Sequence, residues 1–245
     1  MYREHLPSPR LRPWVECLWT SEAVPGVPQG RIFPDGCVDI LYLRGGGKAA
    51  LRAVGAMTRV HTVVSPPDLL AVGVRFRPGA ARAFLKLPLG EATDTTIPLE
   101  DIWNSRASRL SARLSDCASI PEMLEAVECA LGPPEDPTPA QRALLALPQN
   151  RELWNPDELA RQSGFSPRHF RRLCLDETGL TPKRLCRILR FRQTFGRIHS
   201  HRPHGGRVDF AGLAADAGYY DQAHLIREFR ELAGCPPSEL VRANP

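Results

Sequence analysis

The first third of the chain contains short apolar runs that are typical of β-strands. The runs cover residues 31–43, 51–56, 59–64 and 69–76. A Pro-Asp-Gly turn lies within the first run, a glycine triplet follows it, and Pro66-Pro67 separates later runs. Several short strands at close spacing predict a small antiparallel β-sheet or barrel.

From Pro78 onwards the apolar positions take the spacing of helices. Ala81, Phe84 and Leu85 follow this spacing, and Pro78 stands where a proline suits the first turn of a helix. The same periodicity continues over 99–117 and 120–131. We therefore expect an α+β first half, in which a β module is followed by helices.

The second half has helical periodicity, and two of its segments follow one pattern. After a helix from Thr138 to about Leu147, each repeat contains a short helix with a Leu-Ala pair, a glycine followed by an aromatic residue, a longer helix and a closing glycine. The longer helices are predicted over 167–178 and 222–233. This order predicts an all-α domain with a duplicated helix-turn-helix.

The longer helix of the first repeat separates apolar from basic residues. Phe170, Leu173 and Cys174 have the spacing of a buried stripe, which directs the arginines outward. Arginines on the exposed N-terminal part of such a helix are typical of base recognition in the DNA major groove, and a solvated basic face without function is the alternative. The expected base contacts are Arg168, Arg171, Arg172 and, from the second repeat, Gln222 and Arg227. We also expect Glu228 to point outward and to pair locally.

Between the repeats, residues 182–200 are predicted as one arginine-rich helix. At 1.5 Å per residue its length is roughly 27 Å, which approaches the roughly 34 Å between successive major grooves. Such a linker helix could place two recognition helices in adjacent grooves, so that one chain reads two half-sites. The expected phosphate contacts are Ser166, Arg187, Arg190 and Asp221.

The distribution of charge favours a division into two domains. The chain of 245 residues has a formal net charge of +5, of which residues 1–136 contribute −1 and residues 137–245 contribute +6. Such asymmetry is typical of a nucleic-acid-binding domain joined to a neutral one. We expect a regulatory or sensor domain over 1–136 and a DNA-binding domain over 137–245.

Several protein classes are excluded by the apolar and cysteine patterns. No window approaches the 18 or so apolar residues of a membrane helix, and the N-terminus lacks the apolar segment of a secretion signal. The seven cysteines are scattered, without a C-x-x-C or a close Cys/His pair. We therefore expect a cytoplasmic protein with reduced thiols, no membrane contact, no metal and no cofactor.

The two repeats contain LARQSGFSPRHFRRLCLDETGLTP and LAADAGYYDQAHLIREFRELAGCPPSEL. These segments resemble the DNA-binding domain of AraC/XylS-type transcription regulators, and the second matches the family signature at Gly218, Asp221, Gln222, Arg227, Phe229, Gly234 and Pro237. The resemblance implies two helix-turn-helix units joined by a linker helix, with base contacts at the positions given above and also at His224. Residues 199–209 form a longer and more polar connection than is usual in this family, which leaves the spacing of the second unit open.

A second resemblance concerns the first half of the chain. WVECLW at 14–19, IFPDGCVDILY at 32–42 and VGVRFRPGAARAFLKLP at 72–88 are similar to an uncharacterised domain that is often fused to AraC-type DNA-binding domains. This resemblance implies no ligand.

Two groups in the first half are candidates for sensing. Arg75 and Arg77 lie two residues apart on a predicted strand and could hold an anionic effector, the alternative being an ordinary edge-strand or interface pair. Cys37 alternates with Asp35 and Asp39 and could belong to a thiol or metal site. The alternative there is a turn capped by Asp35 with Cys37 buried.

The resulting interpretation is a sequence-specific DNA-binding transcription regulator that is not an enzyme and is controlled by an effector or by self-association. The alternative is a thiol-sensing, metal-sensing or enzymatic domain around Cys37 fused to a DNA-binding module, although no catalytic arrangement supports it. The expected partners are double-stranded DNA, RNA polymerase, a small-molecule effector and a second copy of the chain. The self-contact is expected through the apolar stripes of the helices in 100–131.

Overall fold

A computed structural model describes residues 1–23, 29–64, 66–147, 154–200 and 208–242. Its first part contains eight strands among the described residues, each antiparallel to its neighbour. They are β1 (Tyr2–His5), β2 (Val15–Glu22), β3 (Gln29–Ile32), β4 (Val38–Gly45), β5 (Lys48–Val54), β6 (His61–Val64), β7 (Leu70–Phe76) and β8 (Thr96–Pro98). Six form one sheet in the order β1-β2-β7-β4-β5-β8, and β3 pairs with β6. The predicted antiparallel sheet is confirmed, while β1, β2 and β8 are additions to the predicted strands.

The large sheet buries one face against helices because its strands alternate. In β4, Val38, Ile40 and Tyr42 are buried in the main core. The opposite face carries a smaller apolar cluster around Trp19 of β2. The indole of Trp19 lies on Gly73 of β7, where a Cβ would come within 2.3 Å of the ring, so this central strand requires a glycine there.

Helices follow the sheet, as expected, but they are more broken than the periodicity predicts. They are α1 (Arg82–Leu85), a 3₁₀ turn (Leu89–Ala92), α2 (Glu100–Trp103), α3 (Ser105–Asp116) and α4 (Ile120–Leu131). The predicted helix over 99–117 is interrupted at Asn104, whose φ of 48° breaks the helical path. The apolar stripes of α3 and α4 face the core of the same chain. Packing in that core explains the stripes, which therefore no longer favour contact with a second copy.

The second part of the chain is helical in the described residues. Its elements are α5 (Pro139–Ala146), α6 (Pro156–Gln162), α7 (Pro167–Thr178), α8 (Pro182–Ser200), α9 (Phe210–Asp216), α10 (Gln222–Ala233) and α11 (Pro237–Arg242). Helices α7, α8 and α10 have the predicted bounds, and α11 was not predicted. Of the long connection over 199–209, residues 201–207 lie outside the described part of the chain.

Helix α8 packs against the first part of the chain. Phe33 lies with its ring centroid 4.7 Å from that of Phe195 and 6.4 Å from that of Phe191. Leu185 covers Gly36, where a Cβ would come within 3.0 Å of its side chain. The linker between the two repeats is therefore also a packing partner of the β module. A domain boundary between 136 and 137 remains a prediction.

Candidate nucleic-acid interface

The pairs α6–α7 and α9–α10 are two copies of one helix-turn-helix. Asn155 caps α6 and Asp209 caps α9, each accepting hydrogen bonds from two backbone amides. After the short helix, the amide of Phe165 donates to the carbonyl of Ala160, and that of Tyr219 donates to Ala214 in the same way. The second turn is one residue longer, and the extra residue is Tyr220. The expected duplication is therefore present in the backbone as well as in the sequence.

The two longer helices also share length, packing and ends. Each has 12 residues, and Phe170 and Leu225 occupy equivalent fully buried positions. Gly179 and Gly234 end the helices with φ values of 77° and 73°, a left-handed conformation that favours glycine. Leu173, which the sequence placed in the buried stripe, is only half-buried. The interior of both units is thus fixed by equivalent residues.

The N-terminal part of α7 presents three free cations. Arg168, Arg171 and Arg172 are exposed, and within the described part of the chain their guanidinium groups have neither a hydrogen bond nor an ion pair. Gln222 and Arg227 of α10 are exposed, and within the same described residues their side chains also have neither a hydrogen bond nor an ion pair. Five of the six expected base contacts therefore lie on the open faces of the two helices.

The sixth expected base contact, His224, is held within its own unit. Its Nδ1 accepts a hydrogen bond from the amide of Tyr220 at 3.2 Å, and its ring lies edge-on to Tyr219 with centroids 5.4 Å apart. Its Nε2 is 3.9 Å from a carboxylate oxygen of Glu228. The half-buried imidazole thus stabilises the turn before α10, and its contact with a base stays a prediction.

Two of the expected phosphate contacts are helix caps. Ser166 Oγ accepts from the amide of His169 at 3.4 Å, and Asp221 Oδ1 accepts from the amide of His224 at 2.6 Å. A serine hydroxyl that accepts here still has a proton to donate to a phosphate. The Asp221 carboxylate has none and carries the same sign of charge as a phosphate, so the structure assigns it to capping.

Arg187 does not face outward as a phosphate contact, and Glu228 is not an outward residue. Arg187 Nε lies 3.0 Å from both carboxylate oxygens of buried Glu228, and the guanidinium also contacts Glu231. Hydrogen bonding to Glu228 raises the pKa of Arg187. This arginine joins α8 to α10. Arg190 lies with its guanidinium carbon 5.6 Å from the ring centroid of Tyr219, beside the same unit.

A third arginine of α8 binds the β module. Arg192 forms a hydrogen-bonded ion pair with Glu16 of β2, with Nη1 3.1 Å from Oε2. Burial opposes ionisation of Glu16, but the hydrogen bonds and charge of Arg192 lower its pKa overall. The basic excess of the second half is therefore partly used in packing between helices and sheet.

Cys37 lies beside this ion pair, with Sγ 3.5 Å from Glu16 and 3.8 Å from Arg192 Nη1. Burial raises the pKa of this thiol well above its usual value, and nearby carboxylates raise it further. The thiol is therefore protonated and a poor nucleophile. Among the described residues, no group of three or more potential ligands could hold a metal. The thiol-sensing and metal-sensing expectation thus lacks support, whereas the expected turn capped by Asp35 is present.

The arginine pair expected to hold an anion is not a free pair. Arg75 contacts Asp35 and Asp39, each at 3.3 Å, which compensates its charge. Burial raises the pKa of Asp39 to about 6 despite this contact. Strand β7 ends at Phe76, so Arg77 lies beyond it and donates to the carbonyl of Arg12 at 3.1 Å. Because β7 lies between β2 and β4, Arg75 is not on an edge strand, and the alternative of an edge-strand pair is wrong.

Two features of the interface were not found from the sequence. Tyr220 is 92% exposed at the start of α10, and the one-residue difference in turn length was the signal that could have revealed it. The C-terminal ends of α7 and α10 contact the first part of the chain, which no local pattern reveals. Thr93 Oγ1 donates to the carbonyl of Gly179, and the amide of Val60 donates to Leu232 at 2.8 Å.

No helix in the described part of the chain combines the length and hydropathy needed to cross a membrane.

The comparison with curated proteins gave no match. Solved structures of ToxT from Vibrio cholerae are similar at low identity. A ligand-free variant from strain SCE256 has a TM-score of 0.45 and 11% identity over 98% of this chain and 99% of that one. ToxT from strain O395 has a TM-score of 0.42 and 10% identity over 92% of this chain and 95% of that one. Wild-type ToxT from strain SCE256 with bound unsaturated fatty acid has a TM-score of 0.41 and 12% identity over 91% of this chain and 93% of that one. These values decide neither function nor ligand.

Two family models match separate parts of the chain. Residues 3–98 match a domain of unknown function, DUF6597, and residues 159–243 match a helix-turn-helix domain. The second match covers α8 and both units except the start of α6, and the first covers all eight described strands except the start of β1. The chain therefore joins a DUF6597 domain to an AraC-type helix-turn-helix domain, and the second domain makes it a DNA-binding transcription regulator.

Proposed function

We propose that the protein recognises a specific DNA site by inserting the N-terminal halves of α7 and α10 into successive major grooves. Helix α8 joins the two units and has 19 residues, which gives it a length of about 28 Å. This length approaches the roughly 34 Å that separates successive major-groove faces. One chain can then read two half-sites without a second copy.

The observation that carries the proposal is the contrast between the two ends of the recognition helices. Their N-terminal halves are exposed with unpartnered arginine or glutamine side chains, while their C-terminal ends are fixed against the first part of the chain. Protein groups held in place before binding lose less conformational freedom on binding. This arrangement favours tight recognition by a rigid pair of helices.

The residues divide into readers and supports. Arg168, Arg171 and Arg172 read bases from α7, and Gln222 and Arg227 read bases from α10, where side chains of these types match base edges. Ser166 and Arg190 contact phosphates. The supports are Arg187, Asp221 and His224, which fix the second unit through the contacts described above.

Regulation is proposed to enter through residues 1–136, since the contacts of Thr93 and Val60 with the ends of α7 and α10 link that region to both units. A small molecule or a second copy bound there would act on the spacing of the helices through these contacts. RNA polymerase is the proposed partner of the DNA-bound protein. No catalytic role is proposed.

Selection of duplexes from a random pool with the full chain tests the proposal. We expect enrichment of one site, with an affinity that falls steeply as salt rises because phosphate contacts release counterions. Replacing Arg168, Arg171 and Arg172 together by alanine abolishes the enrichment. Replacing Arg109 and Arg113, exposed arginines of α3, leaves it unchanged. Equal binding to all duplexes at moderate salt would contradict the proposal.

A further inference from the structure

The two recognition helices carry different chemistry at equivalent positions. Superposing their caps, Ser166 and Asp221, makes Arg168 equivalent to Ala223, Arg171 to Ile226 and Arg172 to Arg227. The equivalence is supported by the interior, since Phe170 and Leu225 then coincide, as do Gly179 and Gly234. Two of the three arginines of α7 therefore have apolar counterparts in α10.

The face of α7 is suited to guanine. Its three guanidinium groups are free of partners in the described part of the chain, so none must leave an ion pair to reach DNA. Arginine binds the O6 and N7 acceptors of guanine through two hydrogen bonds, which is the commonest specific contact in the major groove. Three such side chains within two turns of helix favour neighbouring guanines.

The face of α10 is suited to mixed base pairs that include adenine and thymine. Gln222 stands where α7 has Pro167, and a glutamine amide pairs with N6 and N7 of adenine. Ala223 is exposed and has a methyl group, which suits contact with the thymine methyl. Ile226 is half-buried, and Arg227 supplies one guanine contact.

We propose, on the basis of the function proposed above, that the DNA site is asymmetric. A guanine-rich half-site lies under α7, and a half-site with adenine and thymine lies under α10, one helical turn away. The asymmetry follows from Arg168 and Ala223 in particular, because both are exposed and neither is needed for packing. The same two positions provide a reciprocal test.

The experiment uses the full chain and duplexes with about 25 randomised base pairs, enough for two half-sites one turn apart. The wild-type pool is expected to contain one guanine-rich and one adenine/thymine-containing half-site. Arg168→Ala should remove a guanine preference from the first half-site only, and Ala223→Arg should add one to the second only. Substituting a contacted guanine should weaken wild-type binding about 5- to 100-fold and leave the corresponding Arg168→Ala complex insensitive.

The outcomes separate the inference from the proposed function. Two half-sites of equal guanine content, or enrichment without guanine, would overturn the asymmetry and leave sequence-specific binding in place. Equal changes in both half-sites with either variant would also overturn it. No enrichment with the wild-type chain would overturn the proposed function itself. Thermal unfolding of each variant checks that it folds, and both substitutions at exposed positions should leave the melting temperature unchanged.

Discussion

The two helix-turn-helix units have the same backbone but differ in what they present and in what holds them. The first presents three free arginines, and its α7 ends against the first part of the chain, where Arg82 pairs with buried Glu177 at 2.8 Å. The N-terminal part of the second unit presents Gln222, Arg227 and the exposed Tyr220. This unit is tied to α8 through Arg187 and by edge-on packing of Phe191 on Phe229. Packing constrains equivalent interior positions, whereas exposed positions are free to differ.

Arginines that look alike in the sequence therefore have different roles in the structure. Arg172 and Arg187 are both arginines on helices of the DNA-binding domain, yet Arg172 is free among the described residues, whereas Arg187 is paired with two glutamates. Charge counted along the chain therefore overstates the number of groups that can meet DNA. Arg187 therefore helps to hold the second unit in place, whereas Arg172 is available for recognition.

The largest expected effect comes from Arg187→Ala. Removing this guanidinium leaves the buried carboxylate of Glu228 without its main partner, and we expect the free energy of unfolding to fall by about 2 kcal/mol, less than for a fully buried pair because Arg187 is partly exposed. Chemical denaturation measures this change. Arg161→Ala is the matched control, since it breaks an exposed arginine–glutamate pair of the first unit and should leave stability unchanged. Equal losses would show that the buried Glu228 does not make the Arg187 contact more important for stability than an exposed ion pair.

A second, smaller effect compares Arg172 with Arg227, the equivalent position at which both helices have arginine. Each alanine substitution should weaken binding about 5- to 100-fold, through one base pair in its own half-site. Fluorescence anisotropy with duplexes altered in one half-site at a time measures the loss. If either variant lost affinity equally for every sequence, its arginine would be a phosphate contact instead.

The smallest effect is expected for Tyr220, the extra residue of the second turn. Its exposed phenol should donate one hydrogen bond to the DNA backbone, so Tyr220→Ala is expected to weaken binding about two- to tenfold on all sequences. Tyr220→Phe keeps the ring and removes the hydroxyl, and it should have the same effect. Wild-type affinity for both variants would show that the second unit makes no contact through its longer turn.

Much of the second half could be predicted because its signals are local. Ser166 followed by Pro167 begins α7 and Gly179 ends it, and all three act within one turn of the helix. Strand β1 was missed because a short polar edge strand such as Tyr2–His5 has no apolar alternation to detect. Helical periodicity predicted the exposed arginines of α7, but it also predicted an exposed Glu228, which is buried in the structure.

The sequence by itself determined the duplicated units, their closing glycines, the linker helix and the AraC-type character of the second half, because residues within a few positions of each other decide these features. Only the tertiary structure decided which arginines are free. Arg187 meets Glu228 across 41 residues and Arg192 meets Glu16 across 176, and such ion pairs depend on distances in space that a local pattern does not contain. The same holds for Arg75, whose charge is compensated by aspartates from another strand and a turn.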